Sequence, residues 1–398
     1  MTVATAKSPV SLVPMLAVGA FVAFVHAAWW LAADTTVAGG GLSDGDGYAR
    51  LVRVAQLYET GAWYDSSFPR ANAPYGFELH WTRPLDVLLL LLAAPLAPFI
   101  GLKSALFWAG AVVSPLLHVL SAMAMAWAAM PVLGRPGAYL AGALTAAQAG
   151  LMGYAIVGHA DHHLLYGLMT VLAFGFIMRL LASSSRSSGY ALGGGFFLAM
   201  GLWVGPETLV LVVLFQVAAA LAWAVDGGAI AGRAARLAWG LALTLSLVLM
   251  AERGPADYIT VEFDRVSMAH LTMAALLAAF WMIAGGMESR IRRPAGRLGF
   301  AVLGALVMAA AMWGLYPEIL LGPKASIDAS LLDHPQALIP LSPMIAELGS
   351  IDDPQRLLIY LGTAVFAVPW LFWRIKRQWS SETVWPWVFM ALAVLAYV

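Results

Sequence analysis

The sequence predicts an all-α polytopic membrane protein with about 11 transmembrane helices. Of its 398 residues, 61% are hydrophobic and only 11% are charged, whereas soluble domains average about 25% charged residues. Apolar runs of about 20 residues recur along nearly the whole chain, and each is long enough to cross a bilayer as a helix. No linker or shift in composition divides the chain, so we expect residues 1–398 to form one transmembrane domain.

The first apolar run is too long for the core of a signal peptide, and no small-residue cleavage pattern follows it. We therefore predict that it stays as an anchored first helix. The chain contains no cysteine, which excludes disulfides, thiolate metal sites and cysteine nucleophiles. The predicted spans cover residues 12–33, 104–130, 137–155, 164–183, 189–205, 208–225, 237–251, 269–287, 298–316, 356–373 and 384–398.

One further apolar stretch, residues 85–100, contains two prolines and is short for a span. If it does not cross, the short cytoplasmic loops carry 13 of the 22 basic residues, and 19 of the 22 acidic residues face outward. If it crosses, every later loop changes side and the basic clusters IRRPAGR and RIKRQW lie outside. The positive-inside rule thus predicts a re-entrant or interfacial helix here, within a first external loop over residues 34–103.

The sequence Asp161-His162-His163 directly follows one apolar segment and precedes another, on the predicted outer side. Ionisable groups are costly at a membrane boundary, so such a cluster indicates a functional site. One aspartate and two histidines within three residues also supply three potential metal ligands. The alternative at this point is a polar helix end that is rich in histidine.

The first external loop contains Asp44-Gly45-Asp46, in which a flexible glycine separates two carboxylates. Such pairs hold Mg²⁺ or Mn²⁺, because hard cations take several oxygen ligands and the glycine lets the loop fold around them. Asp46 also precedes the amphipathic stretch YARLVRVAQLYETG, so the other interpretation makes it the N-cap of a helix. The two interpretations are compatible.

Three further candidates lie in or beside predicted outer loops. Glu347 stands alone in an apolar part of the long loop 317–355, where the alternative is an exposed loop residue. Glu207 lies at an outer boundary, as a site residue or as an acid that stabilises a helix N-terminus. Arg356 is the preferred contact for an anionic headgroup, since guanidinium binds phosphate oxygens bidentately, and the alternative is an arginine that anchors its helix at the interface.

The ordered set of motifs resembles the GT-C glycosyltransferases, and within them the catalytic subunit of oligosaccharyltransferase, especially its archaeal forms. Asp46-Gly47-Tyr48 followed by Arg50 is similar to the family's Asp-Pro-Tyr/Trp…Arg run in the first loop. Asp161-His162-His163 resembles the second Asp-x-Asp motif in its archaeal Asp-His-His form. Met344-Ile345-Ala346-Glu347 resembles the Ser-Val-Ser-Glu or Thr-Ile-x-Glu motif of the fifth external loop.

The resemblance implies a GT-C-like fold with a divalent metal, Mg²⁺ or Mn²⁺, among these motifs. It makes Asp46, Asp161 and His163 the metal ligands, with Glu347 completing or facing the site. Asp46, Asp161 and Glu347 are then the catalytic residues. The remaining candidates become contacts for the substrate, namely Arg356, His162, Glu207 and Asp44.

The implied donor is a sugar or oligosaccharide on a polyprenyl (pyro)phosphate, and the implied acceptor is a polypeptide or a glycan. A bound Mg²⁺ or Mn²⁺ neutralises the charge that grows on the leaving phosphate. The sequence shows no Trp-Trp-Asp-Tyr-Gly motif and no C-terminal soluble domain, which read the Asn-x-Ser/Thr acceptor in the family. Transfer to a glycolipid, a surface polysaccharide or another protein site fits equally well.

The sequence therefore predicts a divalent-metal-dependent glycosyltransferase of the inner (plasma) membrane, with its site on the periplasmic or extracellular side. We expect contacts with membrane lipids and none with nucleic acid. The alternative function is a polytopic transporter or a lipid-carrier flippase, which predicts inverted repeats, broken helices and charged groups near the midplane. The ionisable residues gather instead at the outer boundary, which favours chemistry at the membrane surface.

Overall fold

The computed structural model describes residues 11–33, 36–71, 73–182, 188–319, 364–379 and 382–397, and most of these residues are helical. Seven of the described helices are long and apolar enough to cross a membrane. This confirms an all-α chain with several membrane-spanning helices, while the total of about 11 spans stays a prediction. Of the predicted outer loop 317–355, only residues 317–319 are described, so Glu347 and Arg356 lie outside the described residues.

In the described part of the chain, a two-stranded antiparallel sheet lies in the first loop, where β1 (Ser67–Phe68) pairs with β2 (Phe77–Glu78). The helices are α1 (Leu12–Ala33), α2 (Gly45–Thr60), α3 (Arg83–Ala93), α4 (Ala97–Ile100), α5 (Leu102–Ala143), α6 (Ala149–Ala155), α7 (His163–Ala182), α8 (Ser188–Val204), α9 (Thr208–Asp226), α10 (Ala229–Glu252), α11 (Met268–Gly286), α12 (Pro294–Leu315), α13 (Ala364–Gln378) and α14 (Trp385–Tyr397).

Helix α5 is a hairpin of two arms that joins the predicted spans 104–130 and 137–155. The chain reverses at Gly134, whose φ of 68° is a left-handed conformation that favours glycine. The arms pack so closely that a Cβ on Gly142 would lie 2.6 Å from the carbonyl oxygen of Ala122. The second arm does not continue as one helix to residue 155, because a 3₁₀ turn over Leu144–Ala147 separates it from α6.

The ambiguous stretch 85–100 forms two short helices, α3 of 11 residues and α4 of 4 residues. Neither reaches the roughly 20 residues that a membrane-spanning helix needs. Helix α3 buries Leu85 and Leu89 in a core shared with α5. Leu91 in α3 and Phe99 in α4 stay exposed. Its re-entrant or interfacial position in the membrane stays a prediction.

The loops collect at two ends of the bundle. One end holds the first loop, the residues around Asp161 and the loop between α10 and α11, which meet at a common cavity. The other end holds Asp226, which accepts a hydrogen bond from the Trp385 indole, and Glu288, which pairs with Arg297 at 2.7 Å. This grouping is the one that the charge distribution predicts, and the side of the membrane that each end faces stays a prediction.

Small residues let α8 approach α10 closely, as membrane helices commonly do. A Cβ on Gly195 would lie 2.5 Å from the backbone nitrogen of Leu241, so we expect Gly195→Ala to force the two helices apart. Overpacking of this kind costs about 1–3 kcal/mol. Thermal unfolding in detergent should show a clearly lowered Tm.

Gly189→Ala is the matched control, because a Cβ at Gly189 at the start of the same helix meets nothing within 4 Å. Equal Tm values for the two variants would contradict this close crossing of α8 and α10.

Candidate active site

The loop that carries Asp161 is held by backbone contacts from two sides. Gly158 adopts φ 91° and donates its N–H to the carbonyl oxygen of Ala111 in α5, at 2.9 Å. Its own carbonyl accepts the N–H of Ser43, at 3.0 Å, just before α2. The Ser114 hydroxyl donates to the carbonyl of His159. The loop thus has a fixed position between α5 and the start of α2.

Three side chains of this loop and of the first turn of α7 form a cluster that could hold a metal ion. One ligand atom from each of His159, Asp161 and His163 lies within 4.8 Å of the others. Tyr154 stacks on the His163 ring at a centroid distance of 4.3 Å. The sequence signal for His159 is its position two residues before Asp161.

Asp161 is the central acid of the cluster and is 5% exposed. Its Oδ1 accepts hydrogen bonds from the backbone and ring nitrogens of His162, each at 2.7 Å. Its Oδ2 lies 2.6 Å from Nδ1 of His163. Burial raises the pKa of this carboxyl, but the two histidines outweigh burial and hold the pKa well below its usual range. Asp161 is therefore a permanently charged acceptor.

The acids of the first loop lie beside this cluster. Asp44, rather than Asp46, is the N-cap of α2: its Oδ1 accepts the N–H of Gly47 at 2.7 Å, and Asp46 lies in the first turn. Burial raises the pKa of Asp46, and the charges of Asp161 and Asp44 raise it further. Carboxylates that repel one another in this way, next to imidazole nitrogens, suit a divalent cation.

A second buried cluster joins α2 to α3. The carboxylate of Asp86 has no solvent exposure and lies 3.4 Å from Nη1 of Arg50, 3.0 Å from Nε of Arg53 and 3.0 Å from Nη1 of Arg83. Burial lowers the pKa of Arg53 to about 10, although Asp86 opposes this shift. Nη2 of Arg50 also lies 3.8 Å from Oδ1 of Asp161, which links this cluster to the metal-binding candidates.

A cavity of about 510 Å³ opens beside the two clusters. Arg50 and His162 line it on the side of the metal-binding candidates, and Glu207 and Arg265 line it elsewhere. Most of the remaining wall is apolar or aromatic, including Trp81, Trp203, Val204, Leu209, Phe263, Met273 and Met312. The cavity therefore combines cationic and imidazole groups with walls that suit a lipid.

The loop between α10 and α11 fixes Arg265 at this cavity. Glu262 pairs with Arg265 and lies 3.0 Å from Nη2 of Arg253. Burial raises the pKa of Glu262, but the two arginines prevail and lower it to about 2. The Arg265 guanidinium is thus charged and held in place, a feature that the spacing of the sequence does not reveal.

Most of the residues that the sequence predicts for the site come together in the structure. Asp161 contacts His162 and His163, and Asp44 contacts His159 of the same loop. Asp46 is near enough for the charges of Asp161 and Asp44 to raise its pKa, and Glu207 lies on the wall of the adjoining cavity. Glu347 and Arg356 lie outside the described residues, so their parts in the site stay predictions.

No protein-family model and no curated protein matches the sequence. The fold is similar to three solved structures of the oligosaccharyltransferase from Archaeoglobus fulgidus. The apo form gives a TM-score of 0.68 at 14% identity over 97% of this chain. The complex with an inhibitory peptide and a dolichol-phosphate gives 0.66 at 16% over 96%, and the complex with Zn and sulfate gives 0.56 at 16% over 96%.

These matches cover 47%, 47% and 48% of the solved chains, so this chain spans about half their length. The expected oligosaccharyltransferase-like fold is confirmed. The chain is a multi-pass membrane protein whose fold is similar to that of these solved structures.

We expect Asp86→Ala to destabilise the protein strongly, because it leaves three buried guanidinium groups without their shared carboxylate. Removing one partner of a buried ion pair costs about 3–5 kcal/mol. Thermal unfolding in detergent measures the effect. Asp257→Ala, which removes an exposed carboxylate, should leave Tm nearly unchanged. If both variants unfold at the wild-type temperature, Asp86 does not hold α2 and α3 together.

Proposed function

We propose that this chain is a divalent-metal-dependent glycosyltransferase that takes its sugar from a polyprenyl (pyro)phosphate at the outer face of the membrane. The observation that carries the proposal is the cluster of His159, Asp161 and His163, which feels the charge of Asp46 and lies beside a cavity with apolar walls and a buried arginine. The oligosaccharyltransferase fold supports it. The related archaeal enzyme has been solved with a dolichol-phosphate, which favours a lipid-linked donor for this chain also.

The donor's phosphate groups would bind where the cavity meets the cluster of His159, Asp161 and His163. Arg50 lines the cavity there, and its guanidinium stacks on Trp81 at 4.0 Å from the ring centroid. Arg50 is also held by Asp86, so it meets an anion with little further loss of side-chain freedom. His162 presents an imidazole from the same wall, and the apolar surface beyond it suits the polyprenyl chain.

The metal would be held by Asp46, Asp161 and His163, and it supplies Lewis-acid neutralisation of the leaving phosphate. The donor set mixes carboxylate with imidazole, which suits Mn²⁺ better than Mg²⁺. The structure of the related enzyme with Zn and sulfate is consistent with a divalent cation at such a site. Tyr154, stacked on His163, keeps that ring in its orientation.

The acceptor would be a polypeptide or a glycan that approaches from the aqueous side. By resemblance, Glu347 would orient the acceptor or take its proton, as a carboxylate near an attacking group does. Glu207 would contact the sugar, and its position in the lining of the cavity supports this role. Arg356 remains a proposed contact for the donor's anionic groups.

A transporter or a lipid-carrier flippase is the competing function. It would need charged groups that line a path through the middle of the bundle. In the described part of the chain, Asp86, Asp161 and Glu262 lie at one end of the helices. Each of these acids forms ion pairs with neighbouring arginine or histidine side chains. A fixed site at the bundle end favours chemistry over transport.

The test is a glycosyl-transfer assay with a polyprenyl-linked donor, with and without EDTA. We expect EDTA and Asp161→Ala each to reduce transfer by at least about 100-fold, because both remove charge stabilisation of the leaving phosphate. Asp46→Ala should also lose most activity, and Mn²⁺ should restore the EDTA-treated wild type but neither variant.

Asp257→Ala provides the matched control and should keep full activity, since its carboxylate is exposed and lies outside both clusters. Transfer that persists in EDTA, or full activity in Asp161→Ala, would overturn the proposed function.

A further inference from the structure

His159 has two ring nitrogens with different surroundings. Nδ1 lies 2.6 Å from Oδ2 of Asp44, a residue 115 positions earlier in the chain. Nε2 is buried, and no hydrogen-bond partner for it is present in the described part of the chain. Burial removes the hydrogen bonds of an imidazole nitrogen to water, and without a protein partner this free-energy cost is not offset. Such a nitrogen therefore indicates a ligand that the nitrogen binds.

The contact with Asp44 determines which nitrogen carries the proton. A carboxylate only accepts, so the hydrogen bond keeps a proton on Nδ1 and leaves a lone pair on Nε2 of the neutral ring. A carboxylate bonded to one imidazole nitrogen is the usual second partner of a histidine whose other nitrogen binds a metal. His159 also belongs to the cluster with Asp161 and His163.

The side chain of Asp44 is held in place, because each of its two carboxylate oxygens makes a separate contact. Oδ1 accepts the N–H of Gly47 and caps α2, while Oδ2 faces His159. The backbone on each side is held as well: Ser43 donates to Gly158, and Ser114 donates to the carbonyl of His159. The ring of His159 therefore has little freedom to turn.

We propose that His159 is a direct ligand of the metal and that Asp44 is the residue that orients it. This inference rests on the metal site of the proposed function and adds a second imidazole to Asp46, Asp161 and His163. It changes the expected role of Asp44 from substrate contact to metal positioning. Two imidazole ligands make the site selective for Mn²⁺ over Mg²⁺, because imidazole is a poor ligand for Mg²⁺.

The experiment measures Mn²⁺ binding to the full chain in detergent, by calorimetry and by pulsed electron paramagnetic resonance, which counts the nitrogens bound to Mn²⁺. The wild type should show two coordinated nitrogens and bind Mn²⁺ more tightly than Mg²⁺. His159→Ala should show one nitrogen and bind Mn²⁺ about 10- to 100-fold more weakly.

Asp44→Asn separates the two tasks of Asp44. Asparagine is as good an N-cap as aspartate, so α2 stays capped, but the negative charge that faces His159 is lost. We expect about 10-fold weaker Mn²⁺ binding with an unchanged Tm. His80→Ala is the matched control: this exposed histidine lines the cavity but lies outside the cluster, so Mn²⁺ affinity should be that of the wild type.

The outcomes distinguish a failure of this inference from a failure of the proposed function. Two coordinated nitrogens in His159→Ala, or wild-type affinity in both His159→Ala and Asp44→Asn, would overturn the inference while the proposed function stands. A wild-type protein that binds no Mn²⁺ at all would overturn the metal site and, with it, the proposed function.

Discussion

The carboxylate of Asp86 is the constraint on which the end of the bundle that carries the candidate site depends. Three guanidinium groups converge on it without access to solvent, and two of them come from consecutive turns of α2. Because buried cations need a partner, the shared contact with Asp86 fixes the position of α2 against α3. That position brings Arg50 between the cavity and Asp161, where it can meet an anionic donor.

The rest of the site is built outward from this junction. Helix α5 provides the opposite support, because its Ala111 carbonyl and Ser114 hydroxyl hold the loop that carries His159 and Asp161. The start of α2 closes the site through Asp44 and Ser43. Preorganisation of this kind matters for catalysis, since groups that are already aligned need no reorganisation as charge develops on the leaving phosphate.

Short-range features of the chain were predictable from the sequence, and long-range ones were not. Asp161 and His163 are predictable because they are neighbours at the end of an apolar run, and the division of α5 into two arms because the predicted spans 104–130 and 137–155 are separate apolar runs. The pairing of Asp44 with His159 joins distant segments, and no local pattern encodes it. Asp86 lies in an apolar stretch of the sequence. Its three arginine partners become evident only when α2 is packed against α3. Asp44 rather than Asp46 is the N-cap, because α2 begins at Gly45 and already includes Asp46.

The central claim is that a divalent cation binds beside the first residues of α2 and α7, at the loop that carries Asp161. Anomalous difference density from crystals grown with Mn²⁺ tests this claim most directly. We expect one strong peak in contact with Asp46, Asp161, His163 and His159. A peak elsewhere, or none at this cluster at saturating Mn²⁺, would contradict the account.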